Sequence, residues 1–257
     1  MGDIRIGTSG WTYPEWRGSF YPRGLPRDRE LEHLAARVNS VELNSTFYGL
    51  RQPNHYRSWA ARTPDDFVLS VKAPKVITHD KRLRDVDADL AEFFASGVHE
   101  LDTKLGPVLW QLPPFLPFKP DRVTTFLDAL PKDLRHAVEV RHPSFDSPEF
   151  LDLLRDRGIA AVVADTAGRF PAVEDATTDF VYARLHGAEE LYVSAYGPTE
   201  LDAWATRVRA WAEDGDVFVY FDNTLSGAAP YNAVSLAERL GTDRIPADPQ
   251  RPRGSHR

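Results

Sequence analysis

The stretch that decides the fold is Ala137–Asp165, AVEVRHPSFDSPEFLDLLRDRGIAAVVAD. It opens on one short apolar run, Ala137–Arg141, and closes on another, Ala160–Asp165. Between them, Ser147-Pro148-Glu149 supplies an N-cap residue, Pro at the first helical position and an acid in the first turn. A helix is therefore expected over Ser147–Arg157, with Gly158 as its stop. Strand, helix, strand with no hairpin turn is the unit of a parallel sheet.

The same alternation extends in both directions. Further strand candidates are Ile4–Thr8, Ser40–Asn44, Phe67–Lys72, Pro107–Leu112, Phe180–His186 and Val217–Asp222. Helical patterns fall over Asn54–Arg62, Asp87–Leu105, Asp121–Leu130, Thr199–Glu213 and Tyr231–Leu240. Only the connection after Asp165 lacks a strong helix. Most strands are rich in Val, Ile and Leu, as expected for parallel strands covered by helices. Eight such strands predict an α/β fold, a single (β/α)8 TIM barrel over 1–245, with an open doubly wound sheet as the alternative. Residues 246–257, rich in Pro and Arg, read as a flexible C-terminal tail. Three long loops, Trp11–Arg29, Pro74–Asp85 and Pro113–Pro120, follow strands, where barrel enzymes build their sites.

Composition sets outer limits. The chain has 257 residues, 42% hydrophobic and 27% charged, which suits a globular protein and excludes a disordered or fibrous one. There is no cysteine, hence no disulfide, thiolate nucleophile or cysteine metal site. The net charge of -7 argues against binding DNA or anionic membranes through bulk charge. No apolar run approaches ~18 residues, so no membrane span is expected. The N-terminus runs straight into a strand, without a signal-peptide pattern, and a cytoplasmic location is expected.

Strand parity then sorts the polar residues, because successive side chains point to opposite faces. Val41 and Leu43 oppose Glu42 and Asn44. Val138 and Val140 oppose Glu139 and Arg141. Ala183 and Leu185 oppose Arg184 and His186. Val219 and Phe221 oppose Tyr220 and Asp222. The polar parity is assigned to the barrel interior, and Lys72, Gln111 and Asp165 are assigned to it by the same alternation. Glu42, Glu139, Asp165 and Asp222 then face Lys72, Arg141, Arg184 and His186 at one end of the barrel. A buried ion-pair lattice is the ordinary explanation. It adds little net stability, so six strands contributing to it argue for a working site. Glu42 and Glu139, deeper than Arg141, are expected to neutralise Lys72 below while guanidinium groups face the opening.

Particular segments carry a resemblance. Gly7-Thr8-Ser9-Gly10-Trp11, Glu42-Leu43-Asn44-Ser45-Thr46-Phe47-Tyr48, Thr78-His79, Gln111-Leu112-Pro113-Pro114, Glu139-Val140-Arg141-His142, Arg184-Leu185-His186-Gly187 and Tyr220-Phe221-Asp222-Asn223 resemble, in order, the YecE-like (DUF72) family of unknown function. The resemblance runs from Ile4 to about Leu240. It implies a TIM barrel and no particular activity. Phe145 stands where the family pattern suggests Trp, a change expected to alter pocket shape only.

Four chemistries follow from the residues. The first is an enzyme acting on a phosphate- or carboxylate-bearing substrate. Glu42, Lys72, Glu139, Asp165, His186 and Asp222 would carry acid–base chemistry. Thr8, Trp11, Asn44, Phe47, Tyr48, His79, Gln111, Arg141, His142, Arg184 and Asn223 would hold the substrate. No cofactor is required. The second adds a divalent metal on Glu139, Asp165, His186 and Asp222, by analogy with abasic-site endonuclease barrels that hydrolyse phosphoesters. The third makes Lys72 a Schiff-base nucleophile, disfavoured because nearby carboxylates should keep the amine charged. The fourth is a non-catalytic nucleotide or nucleic-acid binder. It rests on Trp11, Tyr13, Trp16, Phe47, Tyr48, Phe115 and Phe145 at loops and strand ends, which loop packing explains equally well.

Overall fold

A computed structural model describes residues 1–174 and 176–244. The tail expected over 246–257 lies outside the described residues. Eight strands form the barrel: β1 (Ile4–Thr8), β2 (Ser40–Leu43), β3 (Val68–Lys72), β4 (Leu105–Gln111), β5 (His136–Glu139), β6 (Ala160–Asp165), β7 (Phe180–Leu185) and β8 (Asp216–Phe221). All pairings are parallel, in the order β1-β8-β7-β6-β5-β4-β3-β2, which excludes a doubly wound sheet.

The barrel is nearly closed. Strands β1 and β2 lie side by side but share only one bridge, Ser9 with Glu42. The Asn39 side chain stands in for the missing ladder. Its amide donates to the Ile4 carbonyl (2.8 Å), and its oxygen accepts from Ile6 N–H (2.7 Å). Gly7 makes this seam possible, since a Cβ there would stand 2.1 Å from the Ser40 carbonyl oxygen. Gly7→Ala is expected to cost about 3 kcal/mol by forcing β1 off β2. Thermal unfolding checks this, with an expected fall in Tm of roughly 6–12 °C. An unchanged Tm would mean that the seam is not closely packed.

Helices α1 (Glu30–Ala35), α2 (Ser45–Tyr48), α3 (Pro53–Ala61), α4 (Asp87–Ala95), α5 (Pro120–Asp128), α6 (Pro148–Arg155), α7 (Pro198–Asp214) and α8 (Ala229–Leu240) follow the strands. The helix expected over Asp87–Leu105 is shorter. It gives way at Gly97, in a left-handed conformation, to a 3-10 segment, Val98–Lys104. The chain between β6 and β7 contains no helix among the described residues. No described helix is long and apolar enough to cross a membrane.

Two apolar layers result. Outward strand residues such as Val41, Leu43, Val71, Val138 and Val219 pack against the helices. Inside the barrel, Leu109, Ala137, Val162, Tyr182, Phe218 and Tyr220 form a second cluster. The Tyr220 hydroxyl lies 2.7 Å from Ser40 Oγ and 2.8 Å from Ser70 Oγ, so the polar groups on this floor are satisfied. Apolar packing thus fills the barrel below the C-terminal ends of the strands and supports what lies above.

Candidate active site

Arg184 on β7 organises the interior above that floor. Its guanidinium holds Glu42 with Nε (3.1 Å) and Nη2 (2.9 Å). Its Nη1 reaches Glu139 at 2.6 Å, and Nη2 also lies 3.1 Å from Asp222 and from Ser9 Oγ. Tyr182 donates to Glu42 Oε2 at 2.7 Å, and Ser9 donates to Oε1 at 3.0 Å. Arg184 and Glu42 are wholly excluded from solvent. Burial of a charge is tolerated only when its donors and acceptors are matched, as they are here.

The rest of the network lies one step nearer the opening. Arg141 Nε donates to Glu139 Oε1 at 2.8 Å. His186 Nδ1 lies 2.9 Å from Asp222, and its Nε2 lies 3.7 Å from Glu139. Burial alone would raise the Glu139 carboxyl, but Arg141, Arg184 and His186 outweigh it and hold the group well below the carboxylate range. Asp222 is held low in the same way, with Arg184 and His186 offsetting burial. Burial pushes His186 down, yet Glu139 and Asp222 raise it overall. Three carboxylates therefore stand against Arg184 and Arg141, with His186 beside two of them.

Lys72 is the buried cation of the mouth without an ion pair among the described residues. Its side chain is buried, and among the described residues no carboxylate oxygen lies within ion-pair distance of Nζ. Nζ sits 4.4 Å from the centre of the Phe47 ring. Burial first, then the Arg184 charge, push its pKa down to about 8. This overturns two expectations. Glu42 and Glu139 neutralise Arg184, not Lys72, and the carboxylates do not keep the amine fully charged.

Lys72 forms one wall of a cavity of about 620 Å³ at the C-terminal mouth. Asn44, Phe47, Tyr48, His79, Gln111, Arg141 and Asp222 also line it, as do Tyr13, Lys75, Asp80, Phe115, Tyr192, Thr224 and Leu225. His79 is delivered by a single π-helical turn, Val76–Asp80. Burial and the nearby Lys72 and Arg141 push it down to about 4, so it is neutral at pH 7. Arg82, Leu83 and Asp85 directly after this turn, and Tyr192 opposite, all adopt positive φ. Such backbone is costly for non-glycine residues and tends to cluster at working sites.

Several predicted residues lie elsewhere. Glu42, Glu139, Arg184 and His186 are beneath the cavity, not on its wall. Asp165 points the other way. It shares the outward parity of Val163 and Ala161, accepts a bond from Tyr196 (3.0 Å), and lines a groove beside α7. The four metal donors proposed from sequence are therefore not assembled. Among the described residues no group of three or more such side chains is placed to hold a metal ion. Thr8 faces outward and donates to the Gly10 carbonyl at 2.7 Å; Ser9 is the inward hydroxyl. His142 is tied to Ser144, and the Asn223 amide to Ser194 and Asn232 (3.0 Å each), which are loop-holding roles. Trp11 lines a smaller neighbouring cavity that shares Tyr13, Asn44 and Tyr48 with the main one. Trp16 and Phe145 are fully buried, Phe145 against Phe118 and Phe150, so the Phe145 position does not shape the pocket. Sequence reading missed Lys75, Asp80, Tyr192, Thr224 and Leu225. The first two lie in the Pro74–Asp85 loop already marked; the others carry no local signal.

Comparison with known proteins agrees with this architecture. The family described as "Protein of unknown function DUF72" matches residues 5–255. The chain belongs to this family. It is 34% identical over 169 residues to the UPF0759 protein YecE of Escherichia coli K12, covering 63% of this chain and 59% of that protein. The matched part thus spans under two thirds of that relative's length. A solved DUF72 protein from Thermotoga maritima is 29% identical, with a TM-score of 0.82, covering 93% of this chain and 99% of the other. One from Enterococcus faecalis, 20% identical with a TM-score of 0.80, covers 95% and 98% and shares the fold.

Proposed function

We propose that this DUF72 barrel is an enzyme that binds a small phosphate- or carboxylate-bearing substrate in the mouth cavity and works on it by acid–base chemistry. One observation carries the reading: two inner cations reach the same cavity with donors left over. Among the described residues Lys72 has no ion pair, and Arg141 spends only Nε on Glu139, with no hydrogen bond from its terminal nitrogens. Unspent donors in a low-dielectric cleft favour an anion.

The acid–base roles fall differently from the sequence expectation. A proton-transfer group works best with a pKa near the operating pH. Glu42 and Glu139 are saturated and out of reach, while Asp222 and His79 titrate too low. Lys72, at about 8, is the cavity residue in range. Asp222 touches substrate as a fixed negative charge, with His186 behind it holding its orientation. The exposed rings of Tyr48 and Phe115 at the rim, the latter with Arg82 5.0 Å over it, favour a ligand with a planar part, nucleotides included.

Calorimetric titration with inorganic phosphate, a sugar phosphate and a mononucleotide tests the reading. At least one is expected to bind below millimolar, with a loss of roughly tenfold or more on Arg141→Gln. If none binds better than millimolar, or the variant binds as tightly as the wild type, the anion site is wrong.

A further inference from the structure

Lys72 is placed as a nucleophile would be. It stands at the C-terminal end of β3, a mostly buried strand, and is flanked by the Phe47 ring. Its ammonium faces a cavity, not a carboxylate. Each carboxylate that could have held it is engaged by Arg184, so their attraction offsets only part of the cost of burying its charge. An ammonium so placed is poorly stabilised, and its neutral amine form is correspondingly favoured.

Resting on the anion-site reading above, we propose that the substrate carries a carbonyl group and that Lys72 condenses with it. The substrate class is thus an anionic aldehyde or ketone, bearing carboxylate or phosphate. The neutral Nζ attacks the carbonyl carbon, and a C–N bond forms as the carbonyl π pair moves to oxygen. The oxygen then leaves as water, taking the two protons that Nζ gives up, and C–N becomes C=N. Amine plus carbonyl gives imine plus water, with no oxidant or reductant. Arg141 holds the anionic end. Asp222 stabilises the iminium that forms when the imine takes up a proton, because that cation stands where the ammonium stood.

Reductive trapping tests the proposal. The protein is incubated at pH 7 with pyruvate in one arm and glycolaldehyde phosphate in another, each with sodium cyanoborohydride, and is then digested and mapped by mass spectrometry. Lys72 should have a neutral fraction roughly two-hundredfold larger than an exposed lysine at this pH. The expected result is one adduct on the peptide containing Lys72, absent from Lys72→Arg and suppressed by excess inorganic phosphate. The pyruvate and phosphate arms separate a carboxylate-bearing substrate from a phosphate-bearing one. Should Lys72→Arg fold poorly, phosphate protection of the wild-type peptide makes the same distinction. Labelling spread over Lys75 and other exposed lysines, or no adduct in either arm, overturns the imine. If phosphate still binds by calorimetry in that case, the anion site stands without it.

Discussion

Arg184→Met should leave the protein unfolded or nearly so at 25 °C. The substitution strands Glu42, Glu139 and Asp222 inside the barrel without their shared cation. Removing one partner of a buried pair costs about 3–5 kcal/mol, and here Glu42 loses its one cation while Glu139 and Asp222 keep only Arg141 and His186. A domain holds only about 5–15 kcal/mol in total. The loss must also be pH-dependent. In the wild type, Glu139 and Asp222 titrate below their unfolded values, so their stabilisation is present above the unfolded carboxylate range. It is lost as pH falls through the depressed folded values. Without Arg184 those values rise, and the variant should recover part of its stability in mild acid, where the wild type gains none. Urea unfolding at pH 7 and pH 5 reads both effects. A variant that unfolds within about 1 kcal/mol of the wild type at pH 7 would show that the network is not what holds the mouth together.

Lys72→Met should do the opposite: stabilise the fold while abolishing ligand binding. The folded pKa of about 8 lies below the unfolded lysine value near 10.4. The unfolded chain therefore binds the proton more tightly, and below pH 8 the native state carries that penalty in full. The penalty falls away as pH rises from about 8 towards 10.4, so wild-type stability should climb over that window. Methionine fills a similar volume without the charge, and a gain of about 2 kcal/mol at pH 7 is expected. That corresponds to a Tm higher by roughly 4–8 °C for a chain of this size. A lysine kept for stability would behave the other way, and a lower Tm for Lys72→Met would assign Lys72 to the structural lattice.

Much of this barrel is legible in the sequence because its strands are short and strictly alternating. In β2, β5, β7 and β8 polar residues near the C-terminal ends fall on one parity and mark the inner face, and each of Glu42, Glu139, Arg184 and Asp222 does point inward. The reading fails at β6, where AAVVAD is apolar on both faces and nothing sets its phase. Asp165, assigned inward by alternation, lies on the outer parity with Val163. Thr8 fails in a related way, since the inward step after Gly7 falls on Ser9. Pairing is a different matter. Which acid meets which base depends on the shear that staggers neighbouring strands, and the sequence does not state it. That stagger lets one guanidinium on β7 reach carboxylates from β2, β5 and the end of β8, and so isolates Lys72. Loop aromatics are no more readable: Trp16 and Phe115 look alike in sequence, yet one is buried and the other stands half open at the rim.

The account turns on the state of one amine, and titrating it by NMR is the most direct test. Reductive 13C-methylation of the protein, with Lys72→Arg used to assign the resonance, follows each lysine between pH 6 and pH 11. The Lys72 signal is expected to titrate near 8 and to move upward when phosphate is added, because a bound anion supplies the charge partner that the protein withholds. A midpoint at 10 or above without ligand would contradict the account, since it would mean that Lys72 is already paired within the barrel.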